Sequence, residues 1–168
     1  MTGAAIRIAA SPSPFGPILV AVTRQGIRAI RFGRDRAALA RELVRPARES
    51  AVATADPFSR RLARRVAAAF RFPARRFPLP LDPRGTAFQH RVWTALRRIP
   101  PGRTITYGEV ARRIGARRSI RAVAGACAAN GIAVAIPCHR VVAADGSPGG
   151  YRWGVARKRA LLDREARR

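Results

Sequence analysis

Acidic residues are scarce in this chain: 9 stand against 34 basic ones, a formal net charge of +25 over 168 residues. So one-sided a charge repels itself in a compact state and points to a polyanionic partner. Nucleic acid comes first and an anionic membrane surface second. Lysine is nearly missing too, since every basic residue except Lys158 is arginine. The arginines occur in every region, so they support nucleic-acid contact without locating it, and codon bias is the alternative reading of the excess. Cys127 and Cys138 are the only cysteines, which excludes a disulfide framework and a four-cysteine zinc site. With His90 and His139 a Cys2His2 site is arithmetically available, but two cysteines eleven apart with an adjacent histidine do not have its spacing. No apolar run approaches the roughly 20 residues that span a bilayer. Met1-Thr2-Gly3-Ala4 lacks the basic and apolar regions of a signal peptide. The expectation is a cytoplasmic, globular protein with no membrane partner.

What is present divides near Arg84, giving expected domains 1–83 and 84–168. In the first, Ala5–Ala9, Ile18–Val22 and Ile27–Phe32 read as strands, the last two as a hairpin about Gly26. Ile27–Phe32 alternates apolar and basic residues, the pattern of a half-buried strand. Asp35–Glu49 reads as helix until Pro46, and Asp56–Arg71 as a second helix. There Phe58, Leu62, Val66 and Phe70 recur every four residues and are expected to share a buried face. Arg60, Arg61, Arg64 and Arg65 fall largely on the other side. Pro73, Pro78, Pro80 and Pro83 then stop any helix.

The second half opens with a capping-box pattern, Thr86-Ala87-Phe88-Gln89, and repeats it at Thr106-Tyr107-Gly108-Glu109. A helix carrying Phe88, Val92, Trp93, Leu96 and Ile99 follows the first. Short helices Gly108–Ile114 and Ser119–Ala129, joined through Gly115, fit a helix-turn-helix. Asn130-Gly131 suits a left-handed helix end. Gly154–Arg167 reads as a last amphipathic helix with Val155, Leu161 and Leu162 inward.

Chemistry concentrates in Ile136-Pro137-Cys138-His139-Arg140-Val141-Val142. A cysteine at its ordinary pKa is only a few per cent thiolate at neutral pH, and an imidazole can take its proton. In an extended segment adjacent side chains point apart, so a water or a bend would have to link Cys138 to His139. A carboxylate should orient the imidazole. Glu165, Asp163, Asp145 and Glu109 are all open for that role. Taken alone, the Cys-His pair equally fits a buried structural cysteine.

Pro137-Cys138-His139-Arg140-Val141-Val142 resembles the active-site signature of the O6-alkylguanine-DNA alkyltransferases. Phe88-Gln89, Val92-Trp93, Ile99-Pro100, Tyr107-Gly108, Arg121-Ala122-Val123, Ala126-Cys127-Ala128-Ala129-Asn130, Gly150-Tyr151-Arg152-Trp153-Gly154, Leu161-Leu162 and Glu165 follow in the family's order. The likeness is closest to the C-terminal methyltransferase domain of Ada-type proteins. It covers Leu81 to the end specifically and the earlier part loosely.

The resemblance implies an α/β, RNase H-like N-terminal domain with a mixed sheet. A mostly helical, winged-helix-like domain with the helix-turn-helix follows. It implies single-turnover, irreversible transfer of an alkyl group from O6-alkylguanine, or alternatively O4-alkylthymine, in double-stranded DNA to Cys138. Neither cofactor nor metal is implied, and the protein is expected to act as a monomer. His139 would deprotonate the thiol through a water and Glu165 would orient His139. Tyr107 would protonate guanine N3, and Asn130 would tie the recognition helix to the active-site segment. Val141, Tyr151 and Arg152 would line the guanine pocket. Arg121 would fill the gap left by the extruded base. Ile120, Ala122, Ala124 and Gly125 would form the small-residue surface that enters the minor groove. Cys127 is read as structural. Two rival readings of the same residues are a DNA-binding regulator with a merely buried Cys138, and a cysteine hydrolase that turns over.

Overall fold

The computed structural model describes residues 5–44, 52–71 and 77–167. Pro46, the end of the helix expected to reach Glu49, and Pro73 lie outside them. The chain forms two compact units. The first holds the described residues as far as Arg71 together with Pro78–Arg84, and the second holds Gly85 onward.

In unit 1, β1 (Ile6–Ser11), β2 (Ile18–Val22) and β3 (Ile27–Phe32) form an antiparallel meander. The short β4 (Val52–Ala53) pairs parallel with β1, giving a mixed sheet in the order β3-β2-β1-β4. Gly26 turns β2 into β3 at φ +145°, and a Cβ there would stand 2.5 Å from the Pro80 carbonyl oxygen, so only glycine fits. The strand alternation sends Ile6, Ile8, Leu19, Ala21 and Ala29 to a cluster with Leu39 of α1 (Arg36–Val44). A second helix, α2 (Pro57–Arg71), packs on β1 and β2, with Phe70 against Phe32.

Two expectations fail in this unit. β3 is not half-buried: Arg28 is 8% exposed, because its guanidinium meets Asp82 at 2.5 Å and Thr23 also donates to that carboxylate. A satisfied ion pair lets an arginine sit where the alternation predicts solvent. Phe58 is exposed, and the buried face of α2 is Ser59, Ala63, Val66, Ala67 and Phe70. The cause is the helix start. Asp56 Oδ1 accepts from Ser59 N and Ser59 Oγ from Asp56 N, a reciprocal cap that turns Ser59 inward and rotates Phe58 out.

Unit 2 comprises α3 (Ala87–Leu96), β5 (Ile105–Thr106), α4 (Tyr107–Arg113), α5 (Ile120–Ala128), a 3-10 turn at Cys138–Arg140, β6 (Val141–Val142) and α6 (Val155–Ala166). Thr86 and Gln89 form both bonds of a capping box on α3. At α4 only half of the expected box forms: Thr106 accepts from Glu109 N, while the Glu109 carboxylate is held by Arg112 and Arg113. Gly115, at φ +69°, turns α4 toward α5. α3 buries Val92, Trp93 and Leu96, and the Trp93 indole donates to the Ala126 carbonyl of α5 at 2.9 Å. β5 and β6 pair in parallel, setting Thr106 opposite Val142. Of the two links left open between Cys138 and His139, a water or a bend, the chain does bend: it tightens at Cys138, whose N–H donates to the Ile136 carbonyl at 2.8 Å.

Candidate active site

The site forms where the end of α5, the 3-10 turn, β6 and α6 meet. Asn130 makes the first junction. Its amide donates to the Ile136 carbonyl at 2.8 Å and to Cys138 Sγ at 3.2 Å, and its Oδ1 accepts from Ile132 N at 2.9 Å. The left-handed helix end expected at Asn130-Gly131 does not occur: α5 closes on Ala129 in right-handed geometry. The left-handed residue is Val134, at φ 66°. For a β-branched side chain this is a strained conformation, and the Asn130 bonds on either side of it hold the loop in place.

The second junction is α6. Its inward stripe is Lys158, Leu161 and Glu165, while Val155 is 37% exposed and Leu162 is half-buried. The expected apolar stripe is thus partly a charged one. Glu165 Oε1 lies 2.9 Å from His139 Nε2, and its two oxygens take the Arg140 guanidinium at 2.9 and 2.7 Å. Gly102 N donates to Oε2 at 3.3 Å, and Arg140 Nη1 donates to the Ile99 carbonyl at 2.5 Å. Of the other carboxylates considered for His139, Glu109 binds arginines and Asp145 accepts from Ser147 N.

These contacts fix protonation. Burial pushes the Glu165 carboxyl up, but hydrogen bonds from His139 and Arg140, with the Arg140 charge, outweigh it and hold the pKa at about 2. An ionised carboxylate only accepts, so His139 Nε2 carries the hydrogen. Burial lowers the His139 pKa against the opposing pull of Glu165, so the ring is neutral and Nδ1 is its basic nitrogen. Nδ1 is buried and makes no hydrogen bond with a described residue. Burial also pushes the Cys138 thiol up, with Asn130, Lys158 and Arg152 opposing. Cys138 is 4% exposed and therefore rests as a thiol that needs a base. Cys127, on the inner side of α5, is pushed up to about 12, by burial first and then by Cys138.

Lys158 and Arg140 were not singled out by the sequence reading. Lys158 is fully buried, yet it faces carbonyls rather than a carboxylate: Nζ donates to Val141 at 2.6 Å, to Pro148, and to Gly150 at 3.4 Å. It thereby pins the turn-rich loop to β6. The available signal was positional, since it lies three residues before Leu161 and seven before Glu165.

The description "6-O-methylguanine DNA methyltransferase, DNA binding domain" matches residues 87–167, and its ribonuclease-like domain matches residues 6–83. The chain belongs to the O6-alkylguanine-DNA alkyltransferase family. It is 39% identical to a methylated-DNA–protein-cysteine methyltransferase of Methanosarcina acetivorans, over 91% of this chain and 94% of that protein. It is 48% identical to the bifunctional transcriptional activator/DNA repair enzyme Ada of Escherichia coli, over 96% of this chain but 46% of Ada. The chain thus spans about half the length of the Ada-type relatives it matches. A crystal structure of Mycobacterium tuberculosis OGT in complex with DNA superposes with a TM-score of 0.78 at 37% identity, covering 96% of this chain and 93% of that one.

Within this alkyltransferase fold the residues singled out from sequence fall in three places. Cys138 with Asn130, and His139 with Glu165, form two buried hydrogen-bonded groups that adjoin where Cys138 and His139 follow one another in the chain. Tyr107, Tyr151, Arg152 and Val141 surround them: a Cβ on Gly149 would lie 3.4 Å from the Tyr107 hydroxyl, and Arg152 donates to the Asn130 carbonyl at 3.5 Å. Burial raises the pKa of both tyrosines. The Val141 carbonyl already accepts from Lys158. Arg121, Ile120, Ala122 and Gly125 are exposed on α5 and Ala124 is half-buried, and none shares a hydrogen bond with either buried group. Among the described residues no group of histidine, cysteine and carboxylate side chains is placed to hold a metal, and no helix is long and apolar enough to cross a membrane.

Proposed function

We propose that this protein repairs DNA by direct reversal, moving an alkyl group from guanine O6 in a duplex to Cys138. The observation that carries this is a buried His139–Glu165 pair next in the chain to a buried thiol held by Asn130. The rest-state thiol gives its proton to His139 Nδ1 through a water, and Glu165 stabilises the imidazolium that forms. The thiolate attacks the alkyl carbon. The S–C bond forms, the C–O6 bond breaks, and the bonding pair leaves with the base. The Tyr107 hydroxyl, kept protonated by burial, donates toward N3 of the departing guanine. The proton taken from the thiol returns to the base, so the products are S-alkylcysteine and guanine.

A thiol buried in unit 2 cannot reach a base stacked in a duplex, so the guanine must be extruded. Arg121 fills the gap at the exposed start of α5, and Ile120, Ala122, Ala124 and Gly125 give the helix a surface low enough for the minor groove. Val141, Tyr151 and Arg152 receive the extruded base. The protein acts once, as a monomer and without a cofactor. Titration with duplex DNA carrying labelled O6-methylguanine is expected to move one methyl per chain into protein and then stop. Continued turnover, with label released to solution, would instead establish a hydrolase. DNA binding without label transfer would leave only a binding protein.

A further inference from the structure

Unit 1 carries a second basic surface that the repair site does not use. On α2, Arg60, Arg61, Arg64 and Arg65 are all exposed. At about 100° per residue they cover the arc opposite Ser59, Ala63, Val66 and Phe70, which face the sheet. The four side chains make no ion pair or hydrogen bond with any described residue, and α2 contains no acidic residue. Two like-charge pairs, Arg60 with Arg64 and Arg61 with Arg65, stand one turn apart, an arrangement that disfavours a helix unless counter-charge arrives from outside. Phe58, 55% exposed, borders the same arc.

We infer that this face of α2 is a second contact for the phosphate backbone of double-stranded DNA. It acts without sequence preference and independently of the helix-turn-helix of unit 2. Charge decides the occupant: an unneutralised row of guanidinium groups on a chain of net +25 fits a dense row of phosphates. An anionic membrane fits less well. A helix lying in a bilayer surface buries its apolar face there, whereas the apolar face of α2 is already covered by β1 and β2. The inference takes duplex DNA as partner from the proposed function and adds where unit 1 meets it.

The test is the salt dependence of full-length protein binding to a lesion-free duplex of about 40 base pairs, where each neutralised phosphate contributes about 0.9 to the slope of log K against log salt. Changing all four residues to glutamine keeps helix propensity near that of arginine. The R60Q/R61Q/R64Q/R65Q protein loses about two to four phosphate contacts and is expected to have a slope shallower by about 1.8 to 3.6, so that raising salt from 50 to 200 mM costs it roughly 10- to 150-fold less affinity than the wild type. Its thermal midpoint should be unchanged or higher, and methyl transfer to Cys138 at saturating DNA should be unchanged. The R60K/R61K/R64K/R65K protein should keep the wild-type slope. A wild-type slope in the glutamine variant overturns the inference, and does so in favour of a membrane if that variant also loses binding to phosphatidylserine vesicles. A shallower slope in the lysine variant overturns it as well. If the wild type transfers no methyl while the slopes differ as expected, the proposed function fails and this contact stands.

Discussion

Among the described residues each unit buries one arginine–carboxylate pair, and the two pairs differ in what else the carboxylate holds. In unit 1, Asp82 takes Arg28 and the Thr23 hydroxyl, closing the strand edge at the proline-rich segment. In unit 2, Glu165 takes Arg140 but also His139, the residue that follows Cys138 in the chain. The surrounding composition differs in the same way. Asn130, His139, Arg140, Lys158 and Glu165 are the buried polar side chains described in unit 2, and all belong to or border the site. A buried ion pair is weak evidence for stability, because desolvation offsets much of the attraction. The Asp82 pair is accounted for by structure alone. The Glu165 cluster is larger than structure requires, which fits chemistry as its reason.

The largest effect that separates the pairs is on transfer rate. Asp82→Asn and Glu165→Gln each leave a buried arginine without its counter-charge, so each is expected to lower stability by about 3 kcal/mol. Only Glu165→Gln should also slow methyl transfer, by roughly 100- to 10,000-fold, because His139 then loses the carboxylate that holds its tautomer and stabilises the imidazolium. Denaturant unfolding beside single-turnover kinetics reads both. Equal rates in the two variants would break the comparison.

Acid should find the same difference. The Glu165 carboxyl sits at about 2, against an ordinary 4.5. A depressed carboxyl contributes stability that is full above pH 4.5 and lost as pH falls toward 2, here roughly 3 kcal/mol. The lowered His139 pKa acts in the same direction: below pH 6.5 the unfolded histidine takes a proton that the buried one refuses. Unfolding followed by the fluorescence of Trp93 and Trp153, both in unit 2, should show stability falling in two stages as pH drops. A flat profile would mean that the cluster is not coupled to folding.

A smaller effect is expected at Lys158. Lys158→Met removes the donor shared by the β6 carbonyl of Val141 and the loop carbonyls of Pro148 and Gly150, costing about 2 kcal/mol. It should slow transfer roughly tenfold by loosening the loop beside Tyr107. Unchanged kinetics would confine Lys158 to structure.

The legibility of these regions in sequence follows the range of the interactions. The Thr86 capping box, the β2–β3 hairpin and the break at Gly115 are set within a few residues, and local pattern carries them. Arg28 reads as the solvent side of a half-buried strand, and Arg140 and Lys158 have no evident role in the sequence, because what buries all three lies along the chain from them: Asp82, Glu165 and the carbonyls of Val141, Pro148 and Gly150. Phe58 misled because a four-residue repeat ignores the cap at Asp56 that sets the helix phase. Asn130 read as a helix end because nothing local shows that its amide reaches Ile136 and Cys138. Residues alone also left four carboxylates open for His139. The family resemblance singled out Glu165, and the structure shows the contact between them.

The two cysteines allow the most direct test. Cys127 and Cys138 are both buried thiols of unit 2, but of the two sulfurs only that of Cys138 accepts from the Asn130 amide, and only Cys138 is next in the chain to the His139 that pairs with Glu165. After reaction with duplex DNA carrying isotopically labelled O6-methylguanine, peptide mass mapping should place one methyl on Cys138 and none on Cys127, and Cys138→Ser should abolish labelling while Cys127→Ser retains it. Label on Cys127, or transfer that survives Cys138→Ser, would contradict the account.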